Sequence, residues 1–389
     1  MSKETVMWSE RTMADRLKHL IANRAGKAWI PGALIFSFLL LMPATASDGW
    51  VLFKGQANGP VKSPDGNDLS LFAHKKYPGL YWSELYYHQM TFSDGSVMTA
   101  QLGFNAREAS VVMAFAKAGA EPFTDYWVMD FDDVKFDGRG FGFSFGGNRV
   151  RLDGKKYQLD LETGKVKAKL VFDILSPGVT FGDGMVRYPD GKSFAYYSFP
   201  IPWAKVRGRA TIQGREYDLE GFGNMNHDIQ SLSPLYLPAN WQAFWFFGED
   251  HALMIADFYV NKKFGELLTQ RLVFVDREGG MFSSTNFPVK WDQWAELKGS
   301  GFPYPRHYNL SAEGGGARLE AEVNNCEVIL SKDLFSNLPA ALRPVARQIT
   351  RNGWTVDCWS GYTLTYRQQG KISTYQGLGM VRWTNEEAE

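Results

Sequence analysis

The sequence predicts an all-β protein made of two antiparallel β-barrels in tandem, and three observations carry that expectation. From residue 80 onward, short alternating apolar and polar stretches are broken by Gly-containing turn signals. Helical periodicity is nearly absent before residue 335. Each half of the chain also closes on a Tyr-rich strand that leads into a glycine-containing segment. In the first half this is "FAYYSFPIPWAKVRGRATIQGREYDLEGFGN", and in the second "YTLTYRQQGKISTYQGLGMVRW". Antiparallel strands need their edges protected, which closure into barrels or sandwiches achieves. With 39 Gly and 15% aromatic residues, the 389-residue chain has the composition of a turn-rich β protein with a large core.

The elements follow in order. Residues 29–42, "WIPGALIFSFLLLM", form an apolar run preceded by Arg24 and Lys27 and followed by the small residues of "PATAS". This is the pattern of a signal peptide cut near Ala46, with Met13 as a candidate later start. A retained anchor is the alternative, although the run is short for a spanning helix. The expected organisation is a leader over 1–46, one barrel over 47–232 and a second over 233–389, with the boundary near 228–240. "ELYYHQMTF" and "VMTAQLGFN" flank Asp94-Gly95 as a hairpin. Further turns are expected at Asp137-Gly138, Asp153-Gly154, Asp190-Gly191, Gln213-Gly214 and Gly279-Gly280. One helix is expected over 336–353, shortened or kinked at Pro344. Cys326 and Cys358 bracket it. In an oxidising compartment they can form one disulfide, closing a loop of about thirty residues worth roughly 3 kcal/mol.

Composition excludes some functions. Lys plus Arg equals Asp plus Glu at 42 each, and the leader holds six basic against three acidic residues, so the remainder is slightly acidic. That charge balance offers no basic face for nucleic acid. Two cysteines without CxxC spacing indicate no metal site, and no nucleophile elbow or HExxH occurs. "GRGFGFSFGG" has the glycines of a phosphate loop but lies in an alternating strand with no helix behind it. "DFDD" at 130–133 offers oxygen ligands without the spacing of a known cation loop, which favours a solvated strand end. "NLS" at 309–311 is a glycosylation triplet by pattern only.

Several residues are candidates for chemistry. His227, in "GFGNMNHDIQSLSP", can move a proton or be held by a turn, with Asn226 and Asp228 as polar neighbours and Gly221 and Gly223 permitting a bend. Asp257 shares a strand face with Leu253, Ile255 and Tyr259. It is either an acid of raised pKa or the partner of an arginine such as Arg271. Glu84, Tyr86 and His88 alternate on one face, which lines a cavity or meets water. Trp82, Trp127, Trp203, Trp241 and Trp245 provide amphipathic surface suited to an apolar ligand, or ordinary core.

These segments together resemble a family. "SELYYHQMTFSDGSVMTAQLGF", "YYSFPIPWAKVRGRATIQGREYDLEGFGNMNH" and the aromatic strand before "ALMIADF" are similar, in order and spacing, to the carotenoid 1,2-hydratase and AttH-like superfamily. That superfamily has a fungal survival-factor branch and is related to tocopherol cyclases. The resemblance spans about residues 50–385 and implies two lipocalin-like barrels. It implies acid–base work on isoprenoid or polyketide substrates where members are enzymes. His227 matches the motif histidine, and Asp257 stands near the acid on the following strand. The chain departs from the pattern at Asn226, at Ile229 and in the Leu-Tyr-Tyr after Glu84. The expected protein is an exported, lipocalin-like binder of an apolar small molecule (lipid, isoprenoid or polyketide) near the domain junction. No cofactor and no nucleic acid are expected, and association with a membrane or export system is a further expectation. The alternative is a hydratase, cyclase or isomerase with Asp257 as acid and His227 as orienting base. Glu84, Tyr86, His88, Asn226, Trp241, Trp245 and Tyr259 are its candidate ligand contacts.

Overall fold

A computed structural model describes residues 82–117, 120–137, 141–188, 191–231, 240–260, 267–333, 343–344 and 353–385, with two short strands near the start. The expected signal peptide lies outside the described residues, as does the expected helix apart from Arg343 and Pro344, which are helical. Among the described residues no helix is long and apolar enough to cross a membrane.

The first sheet holds β1 (Val51–Leu52) and β2 (Gly59–Pro60), then a meander of β3 (Trp82–Phe92), β4 (Ser96–Asn105), β5 (Glu108–Lys117) and β6 (Phe123–Asp130). A second meander runs through β7 (Lys135–Phe136), β8 (Gly142–Phe145), β9 (Asn148–Asp153), β10 (Lys156–Glu162) and β11 (Val166–Ile174). β12 (Val179–Arg187) and the long hairpin β13 (Phe194–Ile212) and β14 (Arg215–Ser231) follow. The second sheet begins with β15 (Asn240–Phe247), β16 (His251–Val260), β17 (Leu267–Asp276) and β18 (Met281–Ser284). It continues through β19 (Val289–Leu297), β20 (Phe302–Gly314), β21 (Ala317–Asp333), β22 (Trp354–Gln368) and β23 (Lys371–Asn385).

Both sheets follow one plan. The path in the first is β6-β5-β4-β3-β14-β13-β11-β10-β9-β8-β7, and in the second β18-β17-β16-β15-β23-β22-β21-β20-β19. In each, the opening strand pairs with the closing strand of the last hairpin, which rolls the sheet around its own core. The ladders remain open at one seam, so each sheet is a half-barrel. The last hairpins also turn alike. Gln213 and Gly214 have φ of 51° and 79°, and Gln369 and Gly370 have 52° and 80°. Two successive left-handed residues form the turn whose twist matches the strands it joins. Seven and nine residues beyond each turn glycine stands another pair, Gly221 and Gly223 or Gly377 and Gly379.

Those later glycines are sites of close approach. A Cβ on Gly221 would stand 2.0 Å from the Thr91 carbonyl oxygen, and one on Gly379 would stand 2.3 Å from the Phe246 ring. The sequence left "GFGNMNHDIQ" open as a ligand-site corner or a turn bent at its glycines. It is instead the second half of β14, paired with β3 on one side and β13 on the other. The glycines admit a neighbouring strand; they do not make a bend.

Each half-barrel has its own core, and a third cluster joins the two. Phe181, Phe199 and Trp203 of the first sheet pack against Trp245, Met254 and Val273 of the second. Trp203 and Trp245 are both buried, and truncating such a side chain costs about 3 kcal/mol or more. The Trp203 indole N–H donates to the Gly248 carbonyl at 3.2 Å. The Arg382 guanidinium holds Asp357 at 2.6 and 2.7 Å and donates to the Tyr87 hydroxyl across the interface. The Arg271 guanidinium lies 3.7 Å over the Tyr197 ring.

Cys326 and Cys358 are joined, with Cα atoms 5.1 Å apart on β21 and β22. The bridge closes a loop of 32 residues. Its loss, by reductant or by Cys326→Ser with Cys358→Ser, is expected to lower the unfolding free energy by about 3 kcal/mol. The urea midpoint should drop correspondingly under reducing conditions; an unchanged midpoint contradicts this.

Candidate functional site

Strand alternation sends one face of β3 and β14 into the first half-barrel and the other toward the second sheet. On the inner face Glu84, Tyr86, His88 and His227 are all fully buried, so none meets water. The Tyr86 hydroxyl donates to Glu84 Oε1 at 2.6 Å, and His227 Nε2 meets the same oxygen at 2.7 Å. The His227 ring stacks on Tyr86 with centroids 4.6 Å apart and planes 9° off parallel. His88 is satisfied separately. Its Nδ1–H donates to the Ala100 carbonyl at 3.1 Å, and Nε2 accepts from the Tyr157 hydroxyl at 2.7 Å. Burial lowers its pKa to about 4, so His88 is a neutral core group.

Asp257 faces the second half-barrel. Alternation puts it on one side of β16 with Ile255 and Tyr259, and its register partners are Gln242 and Gln270. Gln242 Nε2 donates to Asp257 Oδ2 at 2.9 Å. Gln270 is pinned by the Phe287 N–H, which donates to its Oε1 at 3.1 Å. Burial dominates the electrostatics and raises the Asp257 pKa to about 6, against smaller lowering by the two glutamines and Arg271. Arg271 neighbours Asp257's partner Gln270 in sequence but sits on the opposite face of β17, stacked on Tyr197. The expected arginine partnership therefore reduces to a distant field.

Around Asp257 lies a cavity of about 270 Å³ at the mouth of the second half-barrel. Trp241, Tyr259, Leu268, Phe287, Trp291 and Trp383 form most of its wall, with Gln242, Gln270 and Asp257 as its polar members. Three buried wall atoms have no hydrogen-bond partner: Asp257 Oδ1, Gln242 Oε1 and Trp383 Nε1. A trough of about 510 Å³ outside the first sheet is roomier, but Asp160, Lys169, Arg207, Arg209 and Asp218 line it, which is a solvated charged surface.

The sequence-predicted residues thus divide. Asp257, Tyr259 and Trp241 meet at the cavity. Glu84, Tyr86 and His227 meet in the first half-barrel, packed among Phe141, Phe143 and Tyr196. His227 is not brought to Asp257. Trp203 and Trp245 are interface core, Trp127 stacks on Phe145, and Trp82 packs edge-on against Phe194. Asn226 accepts from Asn224 Nδ2 at 3.0 Å, and Asn224 also reaches Met254 Sδ. This pair lies on the face of β14 that meets the second sheet.

Sequence reasoning missed Gln242, Gln270, Trp291 and Trp383; the strand partners of Asp257 become visible only once register is known. It also missed His251, whose Nδ1 donates to Asp250 at 2.7 Å while its Nε2 accepts from the Tyr362 hydroxyl at 2.8 Å. "DFDD" forms a short 3-10 turn with Asp132 and Asp133 exposed. Among the described residues no group of His, Cys, Asp and Glu could hold a metal ion.

Two outcomes test this electrostatic picture. Glu84→Ala strips Tyr86 and His227 of a shared acceptor and is expected to cost about 3 kcal/mol or more in urea unfolding, with Glu84→Gln costing less than half as much. Asp257 has a folded pKa of about 6, raised from the ordinary aspartate value of 3.8, so between those values the folded state holds more protons. Its contribution therefore makes stability fall as pH rises through that window and leaves it lower above. Asp257→Asn should flatten the decline and raise stability at pH 7 by about 1–3 kcal/mol. Melting temperature measured against pH reads this directly, and a variant less stable than the parent at pH 7 overturns it.

Comparison with known proteins places this fold. The crystal structure of CghA with Sch210972 matches with a TM-score of 0.62 at 12% identity, covering 88% of this chain and 97% of that one. A protein described as a putative AttH from Nitrosomonas europaea matches at 0.55 and 14% identity, covering 89% and 100%. Kievitone hydratase from Nectria haematococca matches at 0.50 and 12% identity, covering 86% and 98%. No curated protein matches the sequence. At such identities these likenesses establish the two-part lipocalin-like fold. The Svf1 family model matches residues 85–351, well over half of the chain, and the chain belongs to the Svf1 family.

Proposed function

We propose that this protein binds a small apolar molecule at the mouth of its second half-barrel. The observation that carries the reading is the 270 Å³ cavity itself, an aromatic bowl with a single carboxyl group in its wall. Ligand pockets are mostly apolar walls with a few placed polar groups, and they favour barrel mouths. Leu268, 48% exposed, stands at the entrance and offers an apolar approach from outside. The first half-barrel contributes rigidity, since its centre is filled by aromatic rings and closed hydrogen bonds. Two neighbours on this fold carry small molecules in their descriptions, Sch210972 in one and kievitone in the other. Export through the apolar leader completes the reading, and cell fractionation decides it.

A second reading has one observation in its favour. A carboxyl group with a pKa raised to about 6 and one unpartnered oxygen, in a wall of indole faces, can protonate a double bond and shelter the resulting cation. In this version Asp257 acts without His227. Turnover of an unsaturated isoprenoid, abolished in Asp257→Asn, supports it; undiminished turnover in that variant removes it.

Binding is tested with a neutral apolar fluorophore such as N-phenyl-1-naphthylamine. Trp291→Ala and Leu268→Arg are each expected to weaken its binding by about tenfold. Equal affinity in parent and both variants sinks the assignment of the cavity.

A further inference from the structure

We propose that the cavity of the second half-barrel takes an apolar molecule that carries a quaternary ammonium group. This rests on the binding role given above and adds the charge of the guest. Asp257 brings the one carboxyl group of the wall, and no lysine, arginine or histidine lines the cavity. The carboxyl is 2% exposed, and its hydrogen-bond partners are the uncharged amides of Gln242 and Gln270 rather than a cation. Burial raises its pKa to about 6, more than those amides and Arg271 lower it. Above that value it is an anion whose lost hydration its neighbours do not offset. Buried charges are ordinarily paired. Two buried guanidiniums on strands of the wall point to the other side of the sheet. Arg271 lies over the Tyr197 and Phe258 rings, and Arg382 holds Asp357 through two nitrogens.

Aromatic rings make up most of the remaining wall. Trp291 has Phe244 stacked behind it, with centroids 6.2 Å apart and planes 22° off parallel. Trp383 meets Trp291 at 61° with centroids 5.1 Å apart, and Trp294, 53% exposed, meets Trp383 at 78°. Planes at such angles form a corner, a shape that lets two π faces converge on one guest. Those faces are negative and attract a cation. The carboxylate set behind the wall adds a field of the same sign, which acts through space and needs no contact. The arrangement also chooses the kind of cation. A primary ammonium has three hydrogens to donate, and rings around a recessed carboxyl leave them unserved. A quaternary ammonium has none and presents methyl groups to the indoles. A neutral guest gains apolar contact alone, and an anion meets charge of its own sign. The cavity of about 270 Å³ encloses such a head with a short apolar stretch, and a longer body would leave past the exposed Leu268 and Pro288.

The test uses the full chain at about pH 8, where Asp257 is ionised. Its probes are phenyltrimethylammonium, the uncharged carbon isostere tert-butylbenzene, benzylammonium and benzenesulfonate, with tryptophan emission and calorimetry reading the binding. Phenyltrimethylammonium is expected to bind at least about tenfold tighter than each of the others, a factor that a carboxylate and π faces a few ångströms away supply together. In Asp257→Asn its affinity should fall to within about threefold of the isostere, while the isostere stays within about twofold of its parent value. Circular dichroism and melting temperature establish that this variant is folded. An isostere or sulfonate bound as tightly as the quaternary probe in the parent overturns the cation selection and leaves apolar binding standing. Benzylammonium bound as tightly overturns the quaternary head. An unchanged preference in Asp257→Asn overturns the part given to the carboxylate. Failure of every probe while N-phenyl-1-naphthylamine binds overturns the selection alone, and failure of that fluorophore as well overturns the binding role with it.

Discussion

A sheet buried on both faces has no water to satisfy its side chains, and the central strands of this protein live under that constraint. β14 shows it most plainly. From Gly221 onward its inner face fills the first half-barrel and its outer face meets the second sheet, while Glu216, Asp218 and Glu220 nearer the turn stand in solvent. In the covered half a polar group is served by protein where it is served at all. His227 therefore meets Glu84 Oε1, and Asn224 reaches a methionine sulfur. Asp228 lies on the interface side, where burial raises its pKa to about 6 in spite of the Arg271 charge nearby. The two buried arginines are held by the same logic, one against a carboxylate and a tyrosine, the other on aromatic faces.

The constraint also separates the two candidate clusters. Glu84, His227 and Tyr86 are joined by short hydrogen bonds and ring stacking that fix each member. The Asp257 group is open, with three atoms lacking partners. Satisfied polar networks rigidify a core, whereas incomplete ones leave hydrogen-bonding capacity unmet. This is why the ligand is assigned to the second half-barrel, although the motif histidine stands in the first.

Much of the architecture could be read from residues alone. Alternation and glycine spacing give the strands, and the Gln213-Gly214 turn gives the first long hairpin. The described strands of the first sheet end at Ser231, and those of the second begin at Asn240. The site was less legible, for a physical reason. Alternation tells which residues share a face of one strand, but not which face is inward or which strand lies beside it. Asp257 stands out in the sequence as an acid among apolar neighbours, yet Gln242, Gln270 and Trp383 lie 15, 13 and 126 residues away and join it only through register. The family resemblance implied that His227 and Asp257 act together. Pairing in two different sheets sends their side chains into different interiors. The glycines of "GFGNMNH" suggested a bend for a similar reason, because glycine marks both bends and crowded strand crossings.

The matching turn glycines give the two halves a common ruler. Counted thirteen residues beyond Gly214 and Gly370, the same rung carries His227 in the first half and Trp383 in the second. Their cross-strand neighbours are Tyr86 and Gln242. One copy of the pattern has spent this rung on a plug, and the other keeps it as a porch. Because the two rungs lie in separate cores, a change of side chain at Trp383 reshapes the opening of the second half-barrel without touching the packing around His227 in the first.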